Sequence, residues 1–217
     1  MPGESDSSSP EPQGAQSVSR TAPKDVYPES GFRLPLPKRA DLDERGKEMY
    51  DQIAGPSHRV IAGLQGPLGI LLYDPELAEL SFALNQFLRF RAGIPGRVRE
   101  LAILVAARES RSQFEWGAHE PEALREGIDP KTIDIVRYGR SGEELPERDS
   151  VVIELGRQMF GQQKVDSDTF ARALKLFGPR GLVNLVSLMG NYYGTAALLA
   201  TFDMQLRPGQ KPLLPKA

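Results

Sequence analysis

Arg97-Val98-Arg99-Glu100-Leu101-Ala102-Ile103-Leu104-Val105-Ala106-Ala107-Arg108-Glu109 is the stretch that decides the fold class. Leu101, Ile103, Leu104, Ala106 and Ala107 recur at helical spacings, and Pro95-Gly96 stands just before them, which predicts a helix over 97–109. Outward in both directions the same period continues. On the C-terminal side, Ser112 starts a helix running to about Glu126 and closed by Gly127, Asp129-Pro130 opens a short one ending at Gly139, and 150–161 and 167–177 follow. On the N-terminal side, Asp74-Pro75 supplies an N-cap followed by proline at the first helical position. The helix it starts carries Leu77, Leu80, Leu84, Phe87 and Leu88 on one face and stops at Gly93. An earlier helix is capped by Asp41 or Asp43 and runs to about Ile53, where Gly55-Pro56 ends it, and 56–73 reads as loop. No segment alternates convincingly at period two, so the expected class is all-α.

Residues 181–202 carry no charge over 22 positions, long enough to cross a bilayer. Asn184, Ser187, Asn191 and Thr195 nevertheless line up on one helical face, and Gly190 and Gly194 permit close approach of another backbone. A buried helix with one polar stripe fits both features better than a lipid-facing span.

The chain has 217 residues, a net charge of −2 and no cysteine. Near-neutral charge gives no electrostatic case for nucleic acid or an anionic membrane. Absence of cysteine removes disulfides, thiolate nucleophiles and thiolate metal ligands. With His58 and His119 as the only histidines, no multi-histidine metal site is expected. Residues 1–30 are rich in Ser, Pro, Gln and Glu, with no apolar core of an export signal, and read as a disordered tail. Residues 31–40 form a Pro-rich lead, 41–206 the helical domain and 207–217 a C-terminal extension. The expected location is cytoplasmic.

Chemistry concentrates on two adjacent helices. Glu100 shares a face with Ile103, Leu104 and Ala107, and a carboxylate in an apolar stripe is costly unless paired or functional. Its plainer reading is a favourable position near a helix start. Glu115 and His119, at i and i+4, can hydrogen-bond; a glutamate on one imidazole nitrogen fixes the tautomer of the other. Against that, Ser112-Gln113-Phe114-Glu115 is a capping box in which Glu115 would reach back to the Ser112 amide, and the local pattern alone favours this role. A lone histidine is often a satisfied, partly buried residue. Trp116, the single tryptophan, is either core or pocket wall. Pro121 removes a hydrogen bond to the Gly117 carbonyl and should kink its helix.

In these residues the chain resembles the carboxymuconolactone decarboxylase family and the related alkyl hydroperoxidase D proteins. The resemblance is carried by residues 97–104, by Phe114-Glu115-Trp116-Gly117-Ala118-His119, by Gly127-Ile128 and by Phe177-Gly178-Pro179-Arg180-Gly181-Leu182-Val183, within about 42–206. Counted back from His119, the redox cysteines of the peroxidase branch fall on Ser112 and Glu115, while the family's proton-relay glutamate falls on Glu100. Thiol peroxidase activity is thereby excluded. What the resemblance implies is an oligomeric, alkyl hydroperoxidase D-like helical domain, a homo-trimer or hexamer; from the charge balance, no nucleic-acid or membrane partner is expected. It further implies a decarboxylase acting without cofactor or metal on a small cyclic carboxylated substrate, in the catabolism of aromatic compounds. His119 would be the acid/base, Glu115 would orient it and Glu100 would act as relay, with Arg97, Arg99, Trp116 and Asn191 binding substrate. Two other readings use the same scaffold: an isomerase or hydrolase of a lactone, and a non-catalytic oligomeric binding protein.

Overall fold

The computed structural model describes residues 23–55, 61–207 and 209–215. Among these, structure is helical throughout apart from one isolated bridge between Tyr27 and Phe32. The helices are α1 (Glu44–Ala54), α2 (Pro67–Leu71), α3 (Pro75–Phe90), α4 (Gly96–Glu109), α5 (Gln113–Arg125), α6 (Pro130–Arg137), α7 (Glu147–Arg157) and α8 (Ser167–Thr201). A 3-10 turn, Arg39–Asp41, precedes α1, and a π turn, Gln158–Gln162, follows α7. The all-α expectation holds, and most helix starts follow from their caps. The side chains of Asp43, Asp74, Ser112, Asp129 and Asp166 each accept a hydrogen bond from a backbone amide of the first turn.

Helix α4 is the centre of the molecule. Val98 and every residue from Glu100 to Ala107 are buried, with α5, α6, α7 and α8 packed around them. A helix apolar on nearly every side belongs in a core, and this one holds the Glu100 carboxylate there. Helix α7 approaches so closely that a Cβ on Gly156 would lie 2.4 Å from Val105 Cγ1. The two helices expected over 167–177 and from 181 onward run on as α8, broken at Gly178. Its φ of 65° and ψ of 172° lie in a region essentially restricted to glycine, and Pro179 then starts the second half.

Four expectations change. Helix α2 lies within the stretch read as loop. Helix α7 starts at Glu147 and gives way to the π turn rather than running over 150–161. Leu77, Leu80 and Leu84 share a face of α3 as expected, but they are 47%, 63% and 48% exposed, while Ala78, Phe82, Asn85 and Arg89 turn inward. Within the stretch expected as a disordered tail, residues 23–30 are ordered. Ser30 is fully buried, its hydroxyl donates to the Leu34 carbonyl at 2.6 Å, and Arg33 N donates to Phe202 O, which fastens the lead to the end of α8. Residues 1–22, Pro56 and His58 lie outside the described residues.

At the other end the C-terminal extension straps onto α5: Gln113 Oε1 accepts from the Leu213 and Leu214 amides, and Leu214 is buried. No helix among the described residues is long and apolar enough to cross a membrane. The polar stripe on α8 explains this, since Asn184 donates to the Ala92 carbonyl and Asn191 and Thr195 face an internal cavity.

Candidate functional site

A cavity of about 340 Å³ lies between α3, α5 and the second half of α8, within the size range of small-ligand pockets. Leu71, Phe82, Phe114 and Leu198 supply apolar wall. Polar groups reach it from three helices: Asn85 and Arg89 on α3, Glu115 and His119 on α5, and Asn191 and Tyr192 on α8.

Glu100 stands behind this wall, fully buried on α4. Its Oε2 is 2.7 Å from His119 Nδ1, and its Oε1 accepts from Arg99 Nε at 2.8 Å. Burial pushes the Glu100 carboxyl up. The bond to His119, the bond to Arg99 and the nearby Arg89 charge together outweigh burial and hold the group below the ordinary carboxylate value. An ionised Glu100 accepts the Nδ1 proton, which turns Nε2 toward Glu115 and the cavity. Tyr192 meets the imidazole edge-on, with ring centroids 5.0 Å apart, and fixes its tilt. Burial raises the Tyr192 hydroxyl far above its usual value, and Asn85 hydrogen-bonds it.

Glu115 occupies a different environment. His119 Nε2 is 3.7 Å from its Oε2, beyond hydrogen-bond distance, so the carboxylate that holds the ring is Glu100 and not Glu115. Half of the expected capping box is present, with Ser112 Oγ accepting from Glu115 N at 3.3 Å. The reciprocal half is replaced, because the Ser112 amide donates to Ala107 O. The Glu115 side chain is thus released toward the cavity. Its burial raises the carboxyl above the ordinary value, more than the His119 and Arg89 charges lower it. Two carboxyl groups flank one imidazole, one held below and the other above the ordinary carboxylate value. Such divergence is the usual mark of separate acid and base duties.

The other expected substrate-binding residues divide. Asn191 lines the cavity. Arg97 does not; it forms a bidentate pair with buried Asp149 and ties α4 to the start of α7. Arg99 is fully engaged, donating to Glu100, to the Arg89 carbonyl and to Glu126, and its place is behind Glu100. Trp116 is core: it is fully buried in the main apolar cluster, and its Nε1 donates to Glu120 Oε2 at 2.7 Å. Arg89 was not singled out by sequence. No sequence signal marks it, because the inward series Phe82, Asn85 and Arg89 shows only once α3 is packed. Among the described residues no group of three or more His, Asp or Glu side chains is arranged to hold a metal ion.

The fold and cavity define a small all-helical domain with an internal carboxylate–imidazole–carboxyl site. Residues 75–141 match the model of the carboxymuconolactone decarboxylase family, and this segment carries no cysteine. It spans α3 to α6 and so includes Arg89, Glu100, Glu115 and His119, whereas the α8 wall lies beyond it. The match is shorter than the stretch 42–206 that carries the resemblance. No curated protein matches the chain.

Proposed function

We propose that the protein is a cofactor-independent lyase that removes carbon dioxide from a small cyclic carboxylated substrate, a carboxylated lactone, by acid/base catalysis in the α3–α5–α8 cavity. The observation that carries this reading is the 2.7 Å contact between Glu100 and His119, which aims Nε2 at a cavity where burial raises the Glu115 carboxyl above its ordinary value. When the carbon–carbon bond breaks, its electron pair delocalises through the unsaturated lactone onto the lactone carbonyl oxygen, giving a dienolate. The neutral Glu115 donates a hydrogen bond to that developing charge, where such donors are most effective in a water-poor site. His119 delivers a proton from Nε2 to the distant carbon, and Glu100 stabilises the imidazolium before the transfer. Relative to the roles implied by resemblance, the two carboxyl groups are exchanged: Glu100 orients and Glu115 takes part. An oligomer belongs to the same proposal, since a second copy would cover the exposed stripe Leu77, Leu80 and Leu84 on α3.

The test is incubation with carboxylated lactones, carboxymuconolactone first, in deuterated water. The expected result is carbon dioxide release with one deuterium gained at carbon. The pH profile carries a sign. Glu115 has a raised value and works protonated, so turnover is expected below that value and is lost as pH rises through it. Stability moves the same way, because burying the neutral group favours the fold at low pH and ionising it removes that contribution. Product without deuterium, or a rate that rises steadily with pH through the neutral range, contradicts the reading.

A further inference from the structure

Arg89 is 7% exposed, lines the cavity, and its Nε has no hydrogen-bond partner. A buried guanidinium left partly unbonded is costly, and its surroundings do not remove the cost. The nearest carboxylate oxygen, Glu100 Oε1, is 3.9 Å from Nη2 and already accepts from Arg99. Phe90 covers the guanidinium carbon, with the ring centroid 4.8 Å away, so the planar fork is held in place by an aromatic face. Arg97 and Arg99, the cations that sequence suggested for this duty, are both committed elsewhere.

We propose that Arg89 is the anchor for a carboxylate of the ligand, binding it through the guanidinium fork inside the cavity and thereby selecting anionic over neutral ring compounds. The inference rests on the cavity being the substrate site described above. A planar carboxylate accepts two parallel N–H bonds from such a fork and supplies the partner that Nε lacks. The group held is one that the reaction retains. A departing carboxylate paired to arginine would be stabilised in the ground state, which opposes its loss. Selectivity follows from the same burial, since a neutral ligand would leave the guanidinium desolvated and unpaired.

The experiment is calorimetric titration of the full chain with 2-furylacetate and with its neutral isostere 2-furylacetamide. The acid is expected to bind roughly 30-fold or more tightly than the amide. Arg89→Gln should weaken acid binding by a similar factor and leave amide binding alone, while Arg97→Ala should leave both unchanged. Equal binding of acid and amide by the wild type overturns the inference even if the Arg89 variant fails to fold, and so does an Arg89→Gln protein that binds acid like the wild type. Absence of binding by either compound also overturns it. If Arg89-dependent acid binding is found but no lactone releases carbon dioxide, the reaction fails and the anchor stands. Turnover that survives Arg89→Gln with unchanged KM has the opposite meaning.

Discussion

His119→Ala is expected to lower carbon dioxide release from a carboxylated lactone by roughly 10²- to 10⁴-fold, the usual contribution of a positioned general acid. The loss should appear in kcat, because the proton transfer belongs to the transition state and little ground-state binding depends on it. The folded state should survive, since the ring occupies a cavity wall and Trp116, Leu101 and Leu104 form the core behind it. Circular dichroism and the native mass in solution, measured beside the rate, separate chemistry from folding. A variant that keeps wild-type kcat removes His119 from the mechanism. Glu115→Gln cannot produce the same pattern, because glutamine still donates a hydrogen bond and the proton source is retained.

The second large effect is on stability. Glu100→Gln is expected to destabilise the fold by about 3–5 kcal/mol, because it leaves Arg89 and Arg99 in the interior without the carboxylate between them. For a chain of this length that corresponds to a Tm lower by roughly 6–20 °C. The pH dependence has the opposite sign to that of Glu115. Glu100 has a lowered value, so its contribution is present above the ordinary carboxylate value and is lost as pH falls through the lowered one. The Tm difference between Glu100→Gln and wild type should therefore narrow on acidification. Calorimetry across the acidic range checks both the size and the trend. Equal Tm at neutral pH would mean that the buried cluster contributes nothing to the fold.

Much of this arrangement is legible in the sequence, for identifiable reasons. The α4 stretch announces itself because a core helix is apolar on nearly every side, and Glu100 stands out against it. His119 is visible because it is one of two histidines and lies an i+4 step beyond Glu115. The partnership of Glu100 with His119 crosses between helices, and local spacing favours the i, i+4 pair instead. Packing decides between them: α5 lies against α4, and Glu100 meets Nδ1 from behind the wall. The capping box misleads for a related reason, since the Ser112 amide finds a backbone acceptor in Ala107 that no local pattern foretells.

Other residues show where a single sequence is silent. Leu77, Leu80 and Leu84 have the spacing of a core face yet are exposed, because helical period alone does not say which face of α3 turns inward. Arg89 sits one position beyond Leu88, and nothing in the one-dimensional pattern says that the charged neighbour turns inward. Trp116, beside the site in sequence, points a helix face away from it and into the core. Ser30, in a stretch whose composition reads as tail, is fixed by its own hydroxyl bond to Leu34, a contact made only once the lead folds back.

The most direct measurement of the central claim is a crystal structure with an unreactive cyclic carboxylate bound. The expected ligand sits in the α3–α5–α8 cavity, with its ring within hydrogen-bond reach of His119 Nε2 and the Glu115 carboxyl, while Glu100 keeps its bond to Nδ1. A ligand seated instead in the cleft between α1 and α3, lined by Arg45, Gln52 and Arg91, with His119 and Glu115 untouched, contradicts it.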